Sequence, residues 1–327
     1  VESRYGPKKD LLLMDNNVVA SATYKNIIAE IRDLGFERGA KLHRPGSRTP
    51  VMRRVDFNQG VDARILCKDI MYLKEMSTIA IRPLRIAFDH IGARKPYETA
   101  IRYSHEVGLH ELSNYMLYNF HDSPDDLYQR MRLNIDLNEE LGIRIFSFPM
   151  RYQPTDMKDR SHIGENWTKY QLRSMQIILQ ATHGIVSGAP DFFKRAFGDS
   201  VNQFRELLLW PQHFLFNRAW YERHGGRSEF EDFHHHFKRL SQSDQAELAA
   251  MLSASQPSEF VNLRGKATST MVNRVLGYYA APQAHELRFI WDEMKSKSFS
   301  GEAEDLEAKA IPVDELVEDA GLAVEIN

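Results

Sequence analysis

Short apolar segments alternate with helix-like segments through the first half of the chain. The apolar segments are predicted to be strands, at residues 11–14, 55–58, 84–88, 112–118 and 143–148. The segments between them place apolar residues three and four positions apart, which is the spacing of one helix face. Strands and helices that alternate in this way are expected to form a parallel sheet with right-handed crossovers. The predicted fold class is α/β, a partial parallel (β/α) barrel followed by an all-helical C-terminal region.

The second half of the chain has a different pattern. From Trp167 to about residue 293, helical spacing dominates and strand patterns are absent. From Gly301 to the end, nine acidic residues accompany a single basic residue, Lys309. Such a charge imbalance is typical of chain that does not fold alone. The pattern predicts a partial barrel over 1–155, a helical domain over 156–295 and a mobile acidic tail over 296–327.

Polar side chains follow four of the predicted strands at the point where each strand ends. They are Asp15, Asn16 and Asn17 after the first strand, Asp56, Asn58 and Gln59 at the second, Asp89 and His90 at the third, and Asn119 at the fourth. Because parallel strands point the same way, their carboxyl ends meet at one rim, where (β/α) barrels bind ligands and react. We therefore expect a functional site at this rim.

Two of these groups have a structural as well as a functional interpretation. The run from Asp15 to Asn17 could cap a helix, although one cap needs only one such side chain. Asp56 and Asn58 should share the interior face of the sheet, since alternate strand residues point the same way. Burying both costs several kcal/mol unless they find partners, and a bound polar ligand would supply them. On this interpretation, an Asp56→Asn variant should fold almost normally.

Asp89 and His90 could form an acid–base pair, because imidazole titrates near neutral pH. Adjacent strand residues point to opposite faces, so both can reach one substrate only if the strand has already ended. A structural role is equally consistent with the sequence. Asn119 marks another strand end, beside a helix start at Ser123-Pro124.

Composition narrows the function classes. The chain has 327 residues and a formal charge of −3, which gives no general reason to expect binding to nucleic acid or to a membrane. No apolar run approaches the roughly 18 residues of a membrane helix. Cys67 is the only cysteine, so a disulfide cannot form within the chain. These features favour a reducing compartment and predict a cytoplasmic location.

Five segments of the chain together resemble a group of radical S-adenosylmethionine (radical SAM) proteins of poorly defined substrate. They are LLLMDNNVVAS (11–21), VDFNQGVDAR (55–64), RPLRIAFD (82–89), LSNYMLYNF (112–120) and FSFPMRY (146–152). The resemblance implies a partial (β/α)6 barrel. In this family, a 4Fe–4S cluster bound by closely spaced cysteines after the first strand cleaves SAM reductively and starts radical chemistry.

The chain departs from the family pattern at the cluster, because Cys67 alone cannot replace the cysteine triad. One explanation is a fragment that lacks the amino-terminal strand and cluster loop. The absence of an initiator Met before Val1 favours this explanation, with the cluster ligands expected upstream. The other explanation is a homologue without a cluster. In either case this chain alone is expected to be inactive and to bind no iron.

The resemblance also implies roles for the rim. Asp15, Asn16 and Asn17 would contact the SAM amino group, while the second, third and fourth strand ends, including Asn119, would face the ribose, the carboxylate or the substrate. Arg64 would pair with a carboxylate. The substrate is unknown, and an external electron donor is the expected partner. The basic loop 37–54 and the helical half are candidate covers for the site.

Two other functions remain open. One is a barrel enzyme of another class, which would use Asp56, Asp89 and His90 in acid–base or metal-assisted chemistry. The other is a non-catalytic scaffold that binds a partner through its helical half.

Overall fold

The computed structural model describes residues 4, 6–15, 17–44, 46–157, 159, 161–218, 221 and 228–280. Asn16 and the predicted acidic tail over 296–327 lie outside the described residues. The chain divides into two compact units, residues 1–210 and 211–327. This division lies well beyond the predicted boundary after residue 155.

The first unit is a mixed α/β structure whose long-range pairing is mainly parallel. Its strands are β1 (Asp10–Leu13), β2 (Lys41–Leu42), β3 (Val51–Met52), β4 (Arg54–Phe57), β5 (Leu84–Arg85), β6 (Glu111–Tyr118) and β7 (Arg144–Arg151). β1 pairs with β4, and β6 pairs with β5 and β7, all in parallel. Parallel bridges from Val55 to Ile81 and from Val61 to Ile86 join β4 to the β5 segment. The predicted parallel α/β class is confirmed.

The described strands do not close into a barrel. β7 meets Val186 through an antiparallel bridge at Ser147, and β1 has β4 as its paired strand. β5 is shorter than the predicted strand over 84–88, although Ile86 and Phe88 still donate hydrogen bonds to β6 carbonyl groups. The five parallel strands therefore form an open, chain-ordered array.

Helices follow the parallel strands along the chain. They are α1 (Tyr24–Asp33), α2 (Ala63–Leu66), α3 (Met71–Met76), α4 (Arg94–Glu106), α5 (Pro124–Leu141), α6 (Lys169–Ala181), α7 (Pro190–Phe197) and α8 (Val201–Leu207). The start of α5 follows from its sequence. Ser123 accepts a hydrogen bond from the Asp126 amide at 3.2 Å, and Pro124 occupies the first turn, where no amide donor is needed.

One face of the parallel array packs on the helices, and the other, the open face, is exposed at the outer strands β1 and β7. Val55, Phe57 and Phe88 are buried on the packed face, and Phe88 stacks on Tyr97 of α4 with ring centroids 4.1 Å apart. Leu12 and Met150 belong to the opposite face and are 53% and 48% exposed. Alternate strand residues therefore point either into a helix-covered core or toward the open face.

Aromatic packing explains why the first unit continues to residue 210. Tyr128 of α5 lies 5.5 Å from the rings of both Phe193 and Phe204, in α7 and α8. Its hydroxyl donates a hydrogen bond to the Gly198 carbonyl at 3.1 Å. These contacts attach α7 and α8 to the helix that precedes β7, a long-range arrangement that sequence periodicity does not reveal.

The predicted loop over 37–54 is wrong in part, because β2 and β3 form a short antiparallel hairpin within it. Arg53 lies over the Phe36 ring at 4.6 Å and donates hydrogen bonds to the carbonyl groups of Leu34 and Gly35. Arg38 donates to the Gly108 carbonyl at 3.3 Å. Two basic residues of this segment, Arg38 and Arg53, thus bind other parts of the chain itself.

The described elements of the second unit are helical, as the sequence predicts for this part of the chain. They are α9 (Gln212–Phe216), α10 (Ser228–Phe237), α11 (Gln242–Ala254) and α12 (Thr270–Leu276), with a short 3-10 helix at Pro257–Asn262. The ring centroids of Phe214 and Phe233 lie 5.3 Å apart in the core of this unit. In neither unit does a described helix have both the length and the apolar composition needed to cross a bilayer.

Candidate ligand site at the carboxyl ends of the parallel strands

A buried ion pair lies on the open face of the parallel array. Asp56 of β4 accepts two hydrogen bonds from Arg85 of β5, at 2.8 Å from Nε and 2.7 Å from Nη2. Arg85 also donates to the Ser113 hydroxyl at 3.2 Å and lies 5.4 Å from the Tyr115 ring centroid. Both carboxylate oxygens of Asp56 are therefore occupied by one guanidinium group.

This pair changes the interpretation of Asp56. Burial acts to lower the pKa of Arg85, but the hydrogen bonds and charge of Asp56 outweigh burial and raise that pKa. Arg85 is 2% exposed and Asp56 is 8% exposed. The partner that the buried carboxylate requires is thus a protein side chain, and Asp56 orients Arg85. Sequence reasoning missed Arg85, although a lone arginine in an apolar strand segment signals a buried counter-charge nearby.

Polar groups at the ends of β1 and β4 lie together. Asp15 accepts a hydrogen bond from the Asn17 amide at 2.8 Å, and the Asn17 side chain accepts one from the Asp62 amide at 3.3 Å. The backbone N–H of Asn58 donates to the Leu13 carbonyl at 3.2 Å. Asp15 and the neighbouring Gln59 are exposed. These bonds hold together the ends of β1 and β4, which Asp15, Asn17 and Asn58 follow, while Asn16 lies outside the described residues.

Asp89 and His90 make separate contacts, the first with another strand and the second within its own turn. Asp89 is exposed and accepts a hydrogen bond from the Leu117 amide of β6 at 3.0 Å. His90 caps the following 3-10 turn, since its Nδ1 accepts a hydrogen bond from the Gly92 amide at 2.9 Å. Asp89 thus joins the rim through β6, whereas the imidazole has a capping role.

Arg64 is engaged by a close neighbour in sequence. Its Nε and Nη2 donate to Asp62, and the shortest distance is 2.7 Å. The hydrogen bonds from Arg64 hold the pKa of Asp62 below its usual range. Arg64 is therefore already paired with a carboxylate of the chain itself, at the N-cap of α2, and its contact with a carboxylate of SAM stays a prediction.

Asn119 fastens the loop after β7 to the end of β6. Its Nδ2 donates to the carbonyl groups of Tyr152 and His162, at 3.2 and 3.1 Å, and its Oδ1 accepts from the Gly164 amide at 2.7 Å. Asn119 is fully buried and has a φ of 69°, a conformation that Asn tolerates better than most residues. Its side chain thus serves the loop, and it is not free to contact a ligand.

We expect Asn119→Ala to lower the free energy of unfolding by about 2–3 kcal/mol, because it leaves buried backbone groups without partners and strains a positive φ. Amide hydrogen exchange at His162 to Gly164 should accelerate. Asn119→Gly is the matched variant, since it removes the same hydrogen bonds and relieves the strain. Equal stability of the two variants would show that strain contributes nothing, and parental exchange in both would contradict the loop-fastening role.

A second buried ionic network supports the rim, and sequence reasoning missed it. Arg130 of α5 is fully buried, pairs with Asp122 at 3.0 Å and with Asp126, and donates to the Phe88 carbonyl at 3.0 Å. Burial raises the pKa of Asp122, although hydrogen bonding to the Phe120 amide and the charge of Arg130 oppose this shift. The network therefore fixes the ends of β5 and β6 against α5.

The single cysteine of this chain cannot supply the thiolates that an iron–sulfur cluster needs. Cys67, its only cysteine, lies at the C-terminus of α2 and contacts the Arg64 carbonyl at 3.5 Å. Within the described residues, no group of three His, Cys, Asp or Glu side chains could hold a metal ion. Cluster chemistry is therefore not assigned to these side chains.

No protein-family model, curated protein or solved structure matches the chain.

Proposed function

We propose that the first unit binds S-adenosylmethionine at the carboxyl-end rim of its parallel strands, as the SAM-binding part of a radical SAM protein. The observation that carries the proposal is that Asp15, Asn58 and Asp89 each follow a strand whose carboxyl end lies at one edge of the parallel array. Hydrogen bonds from Asn58 to Leu13 and from Leu117 to Asp89 hold these ends together in pairs. Carboxyl ends of parallel strands are the usual place for ligands in α/β folds.

The rim offers groups that complement the polar parts of SAM. Asp15 and Asp89 are exposed carboxylates that can accept hydrogen bonds from an ammonium group or from ribose hydroxyls. The side-chain amide groups of Asn58 and Gln59 can donate to a carboxylate, and that of Asn58 lies 3.7 Å from the sulfur of Met14. Below them, the open face presents Tyr115, whose ring lies 5.9 Å from that of Phe148 and against which an apolar part of a ligand can pack.

The proposal concerns binding and orientation of SAM by this chain. In the family that the sequence resembles, a 4Fe–4S cluster would supply the electron for reductive cleavage. Because one cysteine cannot ligate such a cluster, the cluster ligands would have to come from outside these 327 residues, and an external donor would reduce the cluster. The contribution of this chain would be a polar rim at the strand ends, next to the buried Asp56–Arg85 pair.

Calorimetric titration of the chain with SAM tests the proposal directly. We expect a dissociation constant below about 1 mM, and a loss of affinity of roughly tenfold in Asn58→Ala and in Asp89→Asn. Asp89→Asn keeps the oxygen that accepts from the Leu117 amide and removes only the charge. Melting temperatures should stay close to that of the parent, because the Asp89 side chain is exposed and Asn58 is only half-buried.

Asp33→Asn is the control. Asp33 is an exposed carboxylate at the C-terminal end of α1, whereas the rim segment after β1 leads into the N-terminal end of this helix. Its affinity for SAM should equal that of the parent. Absence of SAM binding at millimolar concentration, or equal weakening in the control and the rim variants, would overturn the proposal.

A further inference from the structure

The parallel array has one protected edge and one bare edge. At the β7 edge, Ser147 and Val186 form an antiparallel bridge with two backbone hydrogen bonds, at 3.2 and 2.8 Å. At the other edge, β1 pairs with β4, and no second strand among the described residues pairs with β1. An edge strand without a partner is a template for pairing with another chain, and proteins usually protect such edges. The bare edge of β1 is therefore a candidate interaction surface.

The backbone of β1 presents hydrogen-bonding groups to this bare edge. The Lys9 and Leu13 carbonyl groups point toward β4, since they accept hydrogen bonds from the amides of Arg54 and Asn58, at 2.9 and 3.2 Å. Neighbouring residues of a paired strand direct their backbone groups to opposite sides. The N–H and carbonyl groups of Leu12 therefore point to the bare edge, where they can pair with an incoming strand.

The side chains of this segment are apolar in the middle and oppositely charged at the two ends. Leu12 is 53% exposed, and Met14, directly after the strand, is 66% exposed. Lys9 precedes the strand and is half-buried, and Asp15 follows it and is exposed. Asp10 pairs with Arg54, whereas the charges of Lys9 and Asp15 have no ionic partner among the described side chains. A charge of each sign is thus available at opposite ends of one short strand.

We propose that β1 pairs antiparallel with β1 of a second copy of this chain, with Leu12 opposite Leu12. A two-fold axis normal to the sheet relates the two copies, so each contact occurs twice. This register places Leu11 opposite Leu13 and Lys9 opposite Asp15. The Leu12 residues exchange two backbone hydrogen bonds, and the exposed Leu12 and Met14 side chains become covered on the open face.

The charges favour this register over its neighbours. Two-fold symmetry keeps the open faces of both copies on one side, so the register can change only in steps that preserve the alternation of faces. One such step would place Lys9 opposite Leu13, and the step in the other direction would place Asp15 opposite Leu11. Only the register with Leu12 opposite Leu12 pairs Lys9 with a carboxylate in both halves of the interface.

The predicted dimer is weak and reversible. β1 has four residues, so strand pairing alone buries less than the roughly 1,200 Å² of a standard stable interface. We expect a dissociation constant of about 10–100 µM. Sedimentation velocity of the full chain between about 1 and 300 µM should show a monomer that converts to a dimer over this range.

Substitutions in the segment test the pairing. Leu12→Pro removes an N–H at the bare edge and none that bonds to β4, a change that edge strands tolerate, and it should weaken dimerisation about tenfold or more. Lys9→Asp and Asp15→Lys should each weaken it about fivefold, because like charges then lie opposite each other. The double variant Lys9→Asp, Asp15→Lys should recover the parental dissociation constant to within about twofold.

Lys25→Asp is the matched control, because it changes the net charge as Lys9→Asp does but lies exposed on α1. It should dimerise as the parent does. Register is tested in a Cys67→Ala background by mixing Leu11→Cys chains with Leu13→Cys chains under a mild oxidant. Opposite residues that do not exchange hydrogen bonds have Cα atoms about 4.5 Å apart, which suits a disulfide. The mixed disulfide should therefore form in preference to either symmetric one.

Three results would contradict the inference. They are a monomer at about 300 µM, equal dimerisation of the parent and Leu12→Pro, and a double charge variant no better than the single variants. A dimer that is insensitive to all the β1 changes would use another surface. SAM plays no part in these measurements, so their outcome is independent of the proposed function.

Discussion

Asp56→Ala is expected to lower the free energy of unfolding by about 3–5 kcal/mol, because it leaves the Arg85 guanidinium buried without its counter-charge. Arg85 is 2% exposed and directs two of its hydrogen bonds at Asp56. Asp56→Asn should also be destabilising, since the amide nitrogen cannot accept a hydrogen bond from Arg85. The structure thus reverses the expectation from sequence that Asp56→Asn folds almost normally. Urea unfolding monitored by circular dichroism measures the change.

Two further variants isolate the cause of this loss. Asp56→Leu combined with Arg85→Met should recover stability to within about 1–2 kcal/mol of the parent, because replacing a whole buried pair by apolar side chains is often nearly neutral. Asp10→Ala should change stability by less than about 1 kcal/mol, since Asp10 pairs with Arg54 while 44% of its side chain is exposed. A parental unfolding midpoint for Asp56→Ala would refute the buried pair.

Arg130→Met is expected to cost about 3–5 kcal/mol or more, because it leaves two buried carboxylates and a backbone carbonyl without their donor. The pH dependence provides a second signature. Burial already raises the pKa of Asp122, and loss of the Arg130 charge should raise it further. A folded-state pKa above that of the unfolded chain means that the folded state gains the proton first as pH falls. The difference in free energy of unfolding between the parent and Arg130→Met should therefore become smaller as the pH is lowered.

Arg132→Met provides the matched control for Arg130. Arg132 lies two residues further along α5, keeps 31% of its side chain exposed and pairs with Asp136, which is 52% exposed. We expect a change within about 1 kcal/mol and no distinctive narrowing at low pH. If Arg130→Met and Arg132→Met had equal effects, the network of Asp122 and Asp126 would have no special role in fixing the rim.

The sequence predicts where the polar residues of the site lie along the chain, but not which residues they contact. The position of Asp56 in β4, and of Asn58 directly after it, could be predicted from the sequence. The partner of Asp56 could not be predicted. Arg85 lies 29 residues later in the chain and reaches Asp56 only because neighbouring strand segments pair. Asn119 was correctly seen as a strand end, but its role depends on a loop more than forty residues away. SAM binding at the rim stays a prediction.

The sequence by itself determined the local elements of this protein. Apolar spacing and capping residues specified the strand and helix order, since these signals act over a few neighbouring residues. Tertiary structure alone decided which charges are buried together, where the first unit ends, and that β1 lies at an edge of the parallel array. Those features depend on strand register and helix packing between distant segments, and no local pattern encodes the distances between such segments.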